Sequence, residues 1–183
     1  ITMNKIELDV HTHTIASGHA FSTLQEMARA AADKGLKLLG ITEHSPGIPG
    51  TCDPIYFRNL HVVPRQMYGI ELLLGAEINI LDGEGNIDLD EFYLKILDIR
   101  IAGIHSLCYT HGTADENTHG MVKVISNPYI NIISKQVQTA DKLLHNIGKP
   151  PGIDRKNQTQ AFGKAQVWYL LRSTHVRHVA FEQ

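Results

Sequence analysis

Ile6-Glu7-Leu8-Asp9-Val10-His11-Thr12-His13 is the stretch that sets the reading of this chain. Ile6, Leu8 and Val10 alternate with polar residues, which predicts a short strand over residues 6–11. A spacing of two along extended chain puts His11 and His13 on one face, where both can grip one ion. The arrangement recurs further on. Lys37-Leu38-Leu39-Gly40-Ile41-Thr42 reads as a buried strand and runs straight into Glu43-His44. The apolar run 72–76 ends at Glu77, and the run 101–104 ends at His105. Each of these strands finishes on an imidazole or a carboxylate, and isolated solvated histidines have no reason to fall that way. In parallel α/β folds the carboxyl ends of the strands are where sites assemble.

Helix signals lie between the strands. Ser22 or Thr23 caps a helix through Leu24, Met27, Ala31 and Lys34, and Gly35 stops it. Pro46, Gly47, Pro49 and Gly50 mark a loop after His44. Residues 70–80 hold another strand, Asp82-Gly83-Glu84-Gly85 is a turn, and 90–97 is a short helix. A strand over 99–105, a helix over 113–125 weakened by Gly120, and a strand over 129–134 complete the pattern. Such alternation argues for a parallel sheet with crossover helices, open or closed.

The bulk numbers fit one soluble domain: 183 residues, 43% hydrophobic and 20% charged. No apolar run is long enough to cross a bilayer, and residues 1–5 lack the start of a signal peptide, so the expected location is cytoplasmic. Cys52 and Cys108 make neither a disulfide framework nor a zinc-finger spacing and are expected to be free thiols. A net charge of −2 gives no reason to expect nucleic acid or an anionic membrane as partner. Histidine is the outlier, with eleven residues and no tag-like run, and it points towards metal. His61, His111 and His119 fall in loop-like stretches or at a helix flank and are expected at the surface. His19, in a Ser-Gly-His loop, is a weak signal by itself. Imidazole with carboxylate suits zinc, manganese or iron, and a glutamate can bridge two ions. In a two-metal site the ions lower the pKa of a bound water and clamp phosphoryl oxygens.

Composition breaks near Ser134. Residues 1–134 carry 9 Lys+Arg against 16 Asp+Glu, whereas residues 135–183 carry 8 against 3. Glutamine rises from two before the break to six after it. The chain therefore divides into an α/β portion over 1–134 and a basic tail over 135–183. Within the tail, 139–147 has a helix signal, 149–160 is loop-like, and 167–171 is an apolar run that fits strand or helix.

The segment Asp9-Val10-His11-Thr12-His13-Thr14-Ile15-Ala16-Ser17-Gly18-His19-Ala20-Phe21-Ser22-Thr23 resembles the first motif of the PHP family (polymerase and histidinol phosphatase). The match is to its YcdX-like bacterial phosphatases, which carry the same loop histidine. Ile41-Thr42-Glu43-His44 resembles the second motif, with Glu where Asp is commoner. Gly75-Ala76-Glu77-Ile78-Asn79 and Ala102-Gly103-Ile104-His105 resemble the next two, and the likeness covers residues 3–134. It implies a distorted (β/α)7 barrel with a trinuclear cluster, usually zinc or manganese. It also implies hydrolysis of a small phosphomonoester substrate through a metal-bound hydroxide. On the matching positions His11, His13 and Glu77 would hold one ion, Glu77 and His105 would share in a second, and His19 and His44 would hold the third. Glu43 would be an outer acid orienting His44.

The pattern departs at the break. Lys135-Gln136-Val137 stands where the family has His-Pro-Gly, and the late Gly-Ser-Asp-x-His motif has no counterpart. One expected ligand of each ion is thereby missing. The expected fold is a partial (β/α)7 PHP-type barrel, its front half intact over 1–134, its C-terminal part over 135–183 divergent or truncated. A frameshifted translation would explain both the charge break and the lost motifs. The stretch from Gln166 to Thr174, back-translated and read out of frame, permits Val-Phe-Val-Glu-Ile-Asn-Thr, and the family places Glu-Ile-Asn on a later strand. His145, His175 and His178 are the tail's candidate substitute ligands, the last two spaced for one helix face. Two other functions stay open: a non-catalytic metal-binding remnant or interaction protein, and an amidohydrolase-like metal hydrolase, which also opens with His-x-His. The His19 loop and the Glu43-His44 pair favour the phosphatase.

Overall fold

Strand and helix alternate along the chain in the computed structural model, which describes residues 6–134 and the strand Tyr169–Leu170. The elements are β1 (Leu8–Thr12), α1 (Leu24–Asp33), β2 (Leu38–His44), α2 (Pro54–Asn59), β3 (Gln66–Met67) and β4 (Ile70–Ile80). There follow α3 (Glu91–Ile96), β5 (Ile99–Ile104), α4 (Ala114–Ser126), β6 (Ile132–Ile133) and β7 (Tyr169–Leu170). Strands β1, β2, β4, β5 and β6 pair in that order and in parallel; β3 and β7 add antiparallel to β4 and β6. The sheet curls into a half-barrel.

Local chemistry starts and stops the helices. Thr23 caps α1 as one half of a capping box: its Oγ1 accepts from the Glu26 backbone N–H at 3.3 Å, and Glu26 accepts from the Thr23 N–H at 2.7 Å. Thr113 and Glu116 repeat the device on α4 at 3.3 and 2.7 Å. Period two then sorts the strand side chains. Leu39 and Ile41 of β2, with Leu72, Leu74, Ile78 and Ile80 of β4, join Phe57, Leu94, Met121 and Val124 in the core beneath the helices. Each such buried Ile or Leu contributes on the order of 1.5–3 kcal/mol. The opposite face carries a smaller cluster of Ile99, Ile101 and Ile132 with Val10 and Leu73. Followed two residues at a time towards the carboxyl ends, those inner rows lead from Leu73 to Glu77 and from Ile101 to His105. The amino ends are tied for stability. Arg65 pairs with Asp98 at 2.6 Å, and the half-buried Arg100 donates to the carbonyls of Tyr129, Leu94 and Leu97.

Several boundaries differ from the sequence reading. Strand β1 starts at Leu8 and takes in Thr12. Strand β2 runs on through Glu43 and His44, because its ladder with β4 continues to the pair His44↔Glu77. Strand β4 has the extent read from the sequence, Ile70–Ile80, so Glu77, at the end of the apolar run 72–76, lies inside the strand. Strand β6 is confined to Ile132–Ile133. Neither α2 nor β3 was foreseen: each is too short to show a period, although Asp53-Pro54 has the residues of a helix start. Gly120 does not break α4. A Cβ there would sit 2.5 Å from the Asp82 carbonyl oxygen, so the glycine lets the helix pack on the 82–85 turn. The undecided apolar run at 167–171 contains the strand Tyr169–Leu170. The other tail expectations, at 139–147, 149–160, Lys135, His145, His175 and His178, lie outside the described residues. Among the described residues no helix is long and apolar enough to cross a membrane.

Candidate metal centre

Four neighbouring strands deliver the site. A bulge in β1, where three steps from Asp9 to Thr12 oppose two from Leu39 to Ile41, re-aims the chain at His11. Its Nε2 comes 3.2 Å from that of His13 and 2.9 Å from Glu77 Oε2. His13 Nε2 and His44 Nδ1 each reach the same Glu77 oxygen at 3.2 Å, and His105 Nε2 reaches the other at 3.2 Å. His19 stands on the loop after the 3-10 turn Ile15–Ser17, its ring centroid 5.0 Å from that of His13 and 4.9 Å from that of His44. Gly18 shapes that loop: its φ is +75°, and a Cβ would meet the Gly50 carbonyl oxygen at 2.4 Å.

The donor atoms fall into three overlapping triads: His11, His13 and Glu77; His44, Glu77 and His105; and His13, His19 and His44. Every expected ligand is present in at least one. The grouping also adds His44 beside the Glu77–His105 pair and His13 beside the His19–His44 pair. His61, His111 and His119 are exposed and stand in none of the triads.

The electrostatics fit a cation. Glu77 is 2% exposed, the only carboxylate in the triads. Burial would push its carboxyl up, yet the imidazoles of His105, His11 and His13 hold it far below the usual carboxylate range. Burial drives His44 down to about 3 against the upward pull of Glu77, with His13, His105 and His19 adding to the fall. Its ring is thus neutral and able to ligate. His44 Nδ1 and His105 Nε2 stop short of hydrogen-bond alignment with Glu77, and buried His105 Nδ1 has no hydrogen-bond partner among the described residues. Buried nitrogens that crowd one carboxylate in poor hydrogen-bond geometry are what a divalent ion would satisfy.

Supporting residues were only partly legible. Glu43 is fully buried, and its carboxylate accepts from Thr14 and Ser17, not from the His44 ring. Asp88 was missed. It accepts from Ser45 Oγ at 2.6 Å, the Gly47 N–H at 2.6 Å and Asn79 Nδ2 at 2.5 Å, pinning the loop after β2 to β4. No spacing rule links partners so far apart in the chain; only Asn79, in the quoted glutamate motif, hinted at it. Cys52 and Cys108 are free, and burial pushes their thiols up to about 12 and about 11, so neither supplies a thiolate. An open cleft of about 390 Å³ exposes His19, His44 and His105 between Ile48, Pro49 and Leu107.

Comparison with known proteins gives the family. The PHP domain family model matches residues 9–179, and the chain belongs to that family. A probable phosphatase of Clostridium novyi (strain NT) is 51% identical over 129 residues, covering 70% of this chain and 53% of the relative. A probable phosphatase of Thermoanaerobacter sp. (strain X514) is 49% identical over 130 residues, with the same coverage of 70% and 53%. One from Caldicellulosiruptor bescii is 48% identical over 128 residues, again 70% and 53%. The chain spans about half the length of the curated relatives it matches.

Proposed function

We propose that this chain hydrolyses small phosphomonoesters with divalent cations, zinc before manganese, held by His11, His13, His19, His44, Glu77 and His105. The observation that carries the reading is the convergence of four imidazoles on the buried Glu77 carboxylate, with the His19 ring beside those of His13 and His44. Five imidazoles and one carboxylate, with no thiolate, suit zinc. The family and the probable phosphatases among the relatives support the reaction class. When bound, such cations lower the pKa of water and neutralise phosphoryl oxygens.

The chain's own residues do the rest. Glu77, with two oxygens turned to different imidazoles, would join adjacent ions. His44, neutral down to about pH 3, keeps its lone pair across the working range. Among the described residues, those lining the cleft include no lysine or arginine, so a phosphoryl group would find its countercharge at the triads. Ile48, Pro49 and Leu107 would face the leaving group and shed water from it. The test is phosphate release from 4-nitrophenyl phosphate and a panel of phosphomonoesters by the 183-residue chain. Release should stop on chelation, return with zinc or manganese, and be lost in His105→Ala. Zinc uptake without phosphate release would mark a non-catalytic metal-binding protein. Amide hydrolysis alone would mark an amidohydrolase.

A further inference from the structure

We infer that Ser17 is a positioning residue: with Glu43 it fixes which nitrogen of His13 is left bare, and it anchors His19 and His44 at the same time. The inference rests on the metal reading above for its purpose, but its geometry stands alone. Ser17 is 2% exposed and Glu43 fully buried. Ser17 Oγ lies 2.5 Å from Glu43 Oε2, 3.0 Å from the His44 backbone nitrogen and 3.2 Å from His13 Nδ1.

A hydroxyl has one proton to give and two lone pairs to accept with, and a carboxylate only accepts. The Ser17 proton therefore goes to Glu43. Its lone pairs take the His44 N–H and a proton that must sit on His13 Nδ1. His13 Nε2 is then bare, and it is the atom that faces Glu77 and His11. Thr14 holds the carboxylate in register: its N–H donates to both Glu43 oxygens at 3.1 Å and its Oγ1 to Oε1 at 2.6 Å. The Ser17 carbonyl does the same service for the next ligand. It lies 3.1 Å from His19 Nδ1 and can only accept, so His19 is also bare at Nε2. One residue thus sets two tautomers, by different oxygens, and tethers the backbone of a third histidine. Partners of this kind raise ligand basicity and fix ring orientation.

The two oxygens separate in a test. The 15N-labelled chain, equilibrated with zinc at pH 8, should show Nδ1–H on both His13 and His19 and no proton on either Nε2. Ser17→Ala keeps the carbonyl and loses the hydroxyl. It should release the His13 tautomer, leave that of His19 unchanged, and lower zinc affinity about 10–100-fold by chelator competition. An Nε2–H on His13 in the unmodified protein overturns the proposal, whether or not the variant folds. So does a Ser17→Ala chain with unchanged zinc affinity, or one in which both tautomers collapse together, since that would be general damage. A chain with the stated tautomers that takes up no zinc would sink the metal reading and leave the placement of Ser17 standing.

Discussion

Glu77 meets four imidazoles with two oxygens, and among the described residues no other carboxylate joins the triads. Glu77→Gln keeps the shape and removes the charge. Zinc affinity should fall by more than the roughly 10–100-fold that losing a supporting partner costs, measured by chelator competition. Unchanged affinity would remove Glu77 from the ligand set. His44 makes an acid-stability prediction. An unfolded chain takes a proton on this histidine near 6.5, whereas the folded chain refuses it until about 3. The contribution is therefore complete above 6.5 and is lost progressively as pH falls towards 3. Urea midpoints of the zinc-free protein should drop through that window, and the drop should shrink in His44→Asn. Equal slopes in the two proteins would contradict it. His11, His44, Glu77 and His105 were legible in the amino-acid order because a candidate ligand closing an apolar run is a local pattern. Ser17 and Asp88 were not, because their ties to Glu43, Ser45 and Gly47 cross 26 to 43 residues of chain.

Strands β2, β4 and β5 were legible as apolar runs, and α1 and α4 as capped, periodic segments. The far end of β2 was not, because pairing with a neighbour extends a strand past its apolar run: β2 reaches His44 only because β4 continues beside it. The β1 bulge has no composition of its own; it exists in the register against β2. Gly120 shows the same limit. By propensity alone Gly120→Ala should stabilise α4 by about 1 kcal/mol. The added methyl would lie 2.5 Å from Asp82 O and 2.8 Å from Gly83 Cα, and overpacking of that kind costs about 1–3 kcal/mol. The net change should be a lower urea midpoint, and a higher one would show that the turn gives way. Thr113→Ala, which removes the α4 cap, should cost about 1 kcal/mol in the same assay.

The half-barrel brings the six ligand positions together from β1, the loop after it, β2, β4 and β5, all within residues 11–105. The charge break at Ser134 falls after the last of them, although the family match continues to residue 179. If these six residues make the site, the tail histidines are dispensable for metal. A chain carrying His145→Ala, His175→Ala and His178→Ala should keep the zinc content of the unmodified protein, and a loss would assign the tail a ligand. The decisive measurement is zinc per chain, counted by elemental analysis on the monodisperse 183-residue protein after chelation, re-equilibration with zinc and desalting. The six residues predict bound zinc, at least one and at most three ions per chain, with fewer in Glu77→Gln. A chain that retains no zinc would contradict the metal centre and the phosphatase reading built on it.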